Sequence, residues 1–168
     1  MRKLRYFIIF CLICGLTGCG FKPRGSAEMP FKTIYIESDG FSFFDTELRR
    51  SLASNNNVLV VGDSREAELR LHVIDEVRDK KILSLSNSGN VREFELQYRV
   101  SYQVAGSGLT ASGARQQITV TRSLTYSDTK LLAKEEEELL LFEEMQLDAV
   151  GQLLRRLVTV VFDLPIRE

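Results

Sequence analysis

Between residues 58 and 126 the chain alternates apolar and polar side chains with a period of two, the signature of strands that bury one face. The longest run is nearly unbroken: Phe94, Leu96, Tyr98, Val100, Tyr102 and Val104 alternate with Glu93, Glu95, Gln97, Arg99, Ser101 and Gln103. It follows a shorter run, Leu69, Leu71 and Val73 against Arg70 and His72. After Gly106–Gly113 comes a third, Ile118, Val120, Leu124 and Tyr126 against Thr119, Thr121, Ser123 and Thr125. One wet face and one apolar face predict an antiparallel sheet covered on one side only. At about 3.3 Å per residue the central run reaches roughly 36 Å, long enough to project past its cover.

Two segments carry the helical period instead. Phe44, Leu48 and Leu52 stand four apart, predicting a helix over Asp45–Asn55 that ends at Asn55-Asn56-Asn57, because Asn tolerates left-handed turns. From Lys130 to about Phe162, the residues Leu139, Phe142, Met145, Ala149, Leu153, Leu157 and Val160 recur at spacings of three and four, predicting a long amphipathic helix, with Pro165 after its end. Short strands at Thr33–Ile36 and Val58–Val61 complete the pattern. The predicted architecture is α+β, a two-layer sandwich with two helices packed on one face of a four- to five-stranded, mostly antiparallel sheet.

The first residues follow a different logic. Arg2, Lys3 and Arg5 precede an apolar run from Tyr6 to Leu16, about half the roughly 20 residues a membrane-spanning helix needs, so residues 1–18 read as an export signal. The run ends in Leu16-Thr17-Gly18-Cys19, which resembles the lipobox of bacterial lipoproteins. There a Cys is acylated and becomes the mature N-terminus; Gly20 in place of Asp after it implies sorting to the outer membrane. Several acyl chains, at about 0.8 kcal/mol per buried methylene, anchor stably where a single one is marginal. Residues 19–30, broken by Pro23 and Gly25, read as lipidated N-terminus and tether, and residues 31–168 as a single domain.

Export changes the composition. Cys11 and Cys14 leave with the signal, so their C-x-x-C spacing is no redox motif. The 168 residues carry 22 basic and 23 acidic side chains; the signal removes three basic and no acidic ones, and the net charge moves from -1 to -4. That charge disfavours nucleic acid as a partner. His72, the one His of the chain, cannot complete a zinc set and reads as a solvated strand residue. The Gly106–Gly113 segment lacks a P-loop lysine and lies between strands, so it reads as a hairpin connection rather than a phosphate cradle. No metal, cofactor or catalytic constellation is predicted, and the chain reads as a non-enzyme.

Two cations stand out. Arg122 occupies the apolar register of its strand, where an unpaired charge would cost several kcal/mol. Either the sheet outruns its cover there, or Arg122 meets an acidic partner. Lys134 stands beside Glu135–Glu138 at a helix start, the end whose dipole prefers anions. For each the plain alternative is a solvated strand or helix end.

The stretches Cys19-Gly20-Phe21-Lys22-Pro23-Arg24, Arg122-Ser123, Leu132-Ala133-Lys134, Glu144-Met145, Ala149 and Gln152-Leu153-Leu154-Arg155-Arg156-Leu157 are similar to the LptE family, the lipopolysaccharide-assembly lipoproteins also called RlpB. The resemblance spans the chain and is sharpest, without gaps, from Leu132 to Leu157. It implies an α/β sandwich within the lumen of the β-barrel LptD, a plug for the translocon that delivers lipopolysaccharide to the cell surface, lipid-anchored in the outer membrane and facing the periplasm. It also implies lipopolysaccharide binding, with Lys134 matching the family's implicated lysine. The family's second basic residue falls in the loop before the long strand, where Ser86-Asn87-Ser88-Gly89-Asn90 carries no charge; Arg92 is the nearest substitute, and Arg122 is a further candidate. A second reading is a stand-alone periplasmic lipid-binding lipoprotein, which requires an apolar cavity between helices and sheet.

Overall fold

A computed structural model describes residues 29–38, 40, 42–55, 57–106, 113–126 and 131–160. The export signal, Cys19, the tether up to Glu28, residues 107–112, Lys130, Phe162 and Pro165 lie outside the described residues. In chain order the elements are β1 (Thr33–Glu37), α1 (Phe43–Ala53), β2 (Leu59–Val60), β3 (Leu69–Leu85), β4 (Val91–Gly106), β5 (Gln116–Thr125) and α2 (Leu131–Val160). The sheet order is β2-β1-β3-β4-β5.

The sheet is mixed. The two long pairings, β3 with β4 and β4 with β5, are antiparallel, as the alternating runs predict. The short β1 runs parallel to both β2 and β3, and α1 is the crossover that a parallel β1–β2 pair needs. The apolar register is the predicted one. Leu96, Tyr98, Val100, Tyr102 and Val104 of β4 are buried beside Ile118, Val120 and Leu124 of β5. Above them lie Phe44, Leu48 and Leu52 of α1 and Phe142, Met145, Ala149, Leu153 and Leu157 of α2, in one core.

Local chemistry moves the boundaries of α1 from the expected ones. Ser42, with extended backbone angles, caps the helix: its Oγ accepts the Asp45 N–H at 2.9 Å, and Asp45 adds a carboxylate in the first turn. The helix therefore starts two residues earlier than the Phe44/Leu48/Leu52 period alone suggests. It stops before Asn55, although Asn55 and Asn57 keep negative φ. The turn is closed by side-chain chemistry instead, with Asn55 Oδ1 accepting the Asn57 N–H at 3.2 Å. On α2, Leu139 departs from its predicted core position and is 60% exposed.

β3 differs most from expectation. It runs 17 residues, to Leu85, and carries a β-bulge. Val73 pairs with Tyr102 and Asp75 with Ser101, leaving Ile74 without a partner. One inserted residue exchanges the two faces of everything after it. Leu69, Leu71 and Val73 face the core before the bulge. After it Glu76, Arg78, Lys80 and Ile82 occupy the helix side, level with Val100, Tyr98, Leu96 and Phe94. The β3–β4 hairpin closes through Ser86 and Asn90, with Gly89 at φ +86, an angle that favours glycine.

Candidate functional site

The antiparallel topology brings the tip of the β3–β4 hairpin, the end of β5 and the start of α2 to one end of the sandwich. Arg92 stands there at the start of β4, its side chain exposed and its carbonyl accepting the Tyr126 N–H at 2.7 Å. Lys134 is in the first turn of α2, and its Nζ donates to the Glu137 carboxylate at 2.6 Å, three residues on. That bond answers the mismatch between a cation and the helix dipole. Arg122 lies on the covered face of β5 and meets Asp148 of α2, the second of the two arrangements its sequence position allows. Asp148 is about 21 Å along the helix from Lys134 at 1.5 Å per residue. The structure thus gathers Arg92 and Lys134 at one end and holds Arg122 farther along the helix–sheet seam.

The bulge adds polar groups that the period-two pattern hides. Lys80 of β3 bonds Glu138 of α2, with its Nζ 4.3 Å from the centre of the Phe94 ring. Phe94 in turn meets Tyr126 edge to face at 5.2 Å. Arg78 lies over Phe142 at 5.4 Å and donates to Gln146 Oε1 at 3.0 Å. Glu76 accepts two hydroxyls, Ser42 Oγ and Tyr98 Oη, both at 2.6 Å. Burial first, and then the bond to Glu76, raise the Tyr98 phenol well above its ordinary value. The sequence does mark the break: the alternation through Val73 gives way to Val73-Ile74 and then two acids, Asp75-Glu76.

Apolar side chains also lie open at this end. Ile82, Leu83 and Leu85 of the hairpin are more than half exposed, and so are Leu132, Leu139 and Leu140 of α2. The opposite sheet face is polar. Arg99 bonds Asp79 across β3 and β4 at 2.5 Å, Arg115 bonds Asp75 at 2.8 Å, and Ser84 donates to Glu93 at 2.8 Å. A hydrogen bond from Ser101, with help from the Arg115 charge, holds the Asp75 carboxyl below the ordinary carboxylate range against the effect of burial. No helix among the described residues covers this face. His72 is exposed on its strand, and no three His, Cys, Asp or Glu side chains among the described residues could hold a metal ion.

Residues 31–157 match the family model for LptE, lipopolysaccharide-assembly. The chain belongs to the LptE family. LPS-assembly lipoproteins LptE of Yersinia pestis (strain Pestoides F) and Yersinia pseudotuberculosis serotype O:1b (strain IP 31758) are each 30% identical over 161 residues, covering 90% of this chain and 76% of theirs. The solution structure of lipoprotein B from Nitrosomonas europaea superposes with a TM-score of 0.73 at 36% identity, covering 86% of this chain and 94% of that one. The crystal structure of rare lipoprotein B from Shewanella oneidensis gives 0.69 at 27%, covering 79% and 98%. The LptE fold is thus the mixed five-stranded sandwich described above, and the LptE family is one of assembly lipoproteins and not of enzymes.

Proposed function

We propose that this chain is a lipid-anchored subunit of the outer-membrane lipopolysaccharide translocon, seated within the LptD barrel and binding lipopolysaccharide on its way to the cell surface. The observation that carries this reading is the LptE match over residues 31–157, which takes in every described strand. Acylated Cys19 is its anchor in outer-membrane lipids, residues 1–18 its export signal and residues 19–30 its tether to one domain over 31–168.

Physical features of the fold support the reading. A plug needs a wet face to meet a polar barrel interior, and the Glu93, Gln97, Arg99 and Gln103 side of the sheet is such a face. Met29 packs beside Leu154 and Val158 at the far end of α2, so the tether enters opposite Arg92 and Lys134. β4 alone spans about 50 Å at 3.3 Å per residue, against roughly 40–45 Å for a bilayer with its headgroups. A domain tethered at one leaflet thereby presents its cations and open leucines near the other. Those groups suit a phosphorylated glycolipid, with Arg92 and Lys134 for phosphate and Leu132, Leu139 and Ile82 for acyl chains. Tyr98, Tyr102, Leu96, Met145 and Leu153 fill the space between helices and sheet, which weakens the stand-alone carrier reading.

The test is binding of intact lipopolysaccharide to the full chain carrying Lys134→Asp. The substitution sets a carboxylate against Glu137 and is expected to weaken binding severalfold without lowering the unfolding temperature. Unchanged binding at matched stability would remove Lys134 from the contact.

A further inference from the structure

The bulge at Ile74 has opened a cleft of about 470 Å³ on the helix side of the sheet, between the start of α1, β3 and α2. Its floor is Glu76 and Arg78; Ser38, Ser42 and Gln146 are at its walls and the Tyr98 hydroxyl at its base. Without the bulge these positions of β3 would have carried the opposite faces, and the cleft would have been lined by Asp75 and Val77. Bulges of this kind re-aim side chains and occur next to functional sites.

The chemistry of the lining is selective. Each Glu76 oxygen accepts one uncharged hydroxyl and keeps a lone pair for another donor. Arg78 donates to a neutral amide and takes part in none of the ion pairs of the described residues, so most of its N–H groups remain for a ligand. A carboxylate acceptor and a guanidinium donor face one space without pairing to each other. A free anion is disfavoured there by Glu76 and a free cation by Arg78, while an acyl chain would strand both. A molecule that both donates and accepts all round its rim satisfies both, and that is a ring bearing several hydroxyls.

We infer that this cleft is a saccharide subsite, in which Glu76 accepts and Arg78 donates hydrogen bonds to the hydroxyls of one sugar ring of lipopolysaccharide's carbohydrate portion. The inference rests on the proposed function for the source of the sugar. It divides the glycolipid over one face of the molecule, with its sugars in the cleft and its phosphates and acyl chains toward Arg92, Lys134 and the open leucines.

The test uses the full lipidated chain in lauryldimethylamine oxide, a detergent without sugar, titrated calorimetrically with deacylated lipopolysaccharide. Saturable binding is expected, weakened at least tenfold by Arg78→Met and by the near-isosteric Glu76→Gln, and unaffected by Arg122→Met outside the cleft. Equal affinity in the wild type and in whichever cleft variants keep the wild-type unfolding temperature would overturn the subsite. So would equally tight binding of maltotriose, which would show a general sugar cleft not matched to this glycolipid. If intact lipopolysaccharide binds and the deacylated form does not, the subsite fails and the proposed function stands. If neither binds, the lipopolysaccharide-binding part of that function fails with it.

Discussion

Tyr98 and Glu76 offer the sharpest test of the bulged register. The Tyr98 side chain is fully buried, and its hydroxyl donates to a Glu76 oxygen at 2.6 Å. The other oxygen takes the hydroxyl of Ser42, which also caps α1, so one carboxylate ties helix, β3 and β4 together. Tyr98→Phe removes a hydrogen bond to a charged group and is expected to cost about 1.5–3 kcal/mol. Glu76→Leu leaves a buried phenol without its acceptor, at about 1–3 kcal/mol for that group. The double variant strands no phenol, so its cost should fall short of the sum of the singles by at least about 1 kcal/mol. At roughly 2–4 °C per kcal/mol for a chain of this size, circular dichroism melts of the full chain in detergent resolve the difference. A pH signature accompanies it. The folded Tyr98 value lies above an unfolded value of about 10, so its contribution is complete below pH 10 and is lost as the pH rises beyond it. Tyr98→Phe should therefore flatten the alkaline loss of stability. Strictly additive costs and an unchanged alkaline limb together would refute the account of β3.

Arg122 and Asp148 are each more than two-fifths exposed, so a double-mutant cycle with Arg122→Met and Asp148→Asn should give a coupling below about 1 kcal/mol that fades in molar salt; a larger, salt-resistant value would contradict a solvated seam. Asp75 titrates below its ordinary value in the folded chain, so its contribution is present above an unfolded value of about 3.9 and is lost as the pH falls through the lower folded one. Asp75→Asn should accordingly reduce the loss of melting temperature between pH 5 and pH 2.5, and an acid limb as steep as the wild type's would count against the Ser101 and Arg115 contacts.

Periodicity conveys most of the architecture because burial of one face is what builds it. The even-numbered residues of β4 and the Phe142-to-Leu157 stripe of α2 point inward as their spacing demands. The exceptions have local causes. β1 and β2 are too short to declare their parallel pairing, which is decided by the α1 crossover. Leu139 fits the helical stripe yet lies beyond the edge of the sheet, where nothing described covers it. The Ile74 bulge reverses the meaning of every position after it, so a reading by alternation stops at Val73 and misses Glu76, Arg78 and Lys80. Of the cations that sequence singles out, Arg122 is legible as one needing an acid, but the identity of that acid, Asp148, depends on how α2 lies across β5. Lys134 likewise shows in sequence as a misplaced charge, and its bond to Glu137 explains how the helix tolerates it.

The central claim is that this chain works as one part of a barrel complex. Its most direct test is affinity purification of the full lipidated chain, tagged at its C-terminus, from outer membranes extracted in mild detergent, with the captured protein identified by mass spectrometry. The account predicts LptD at one copy per chain, retained through washing at high salt. Recovery of the chain alone, while LptD extracts intact in the same detergent, would contradict it.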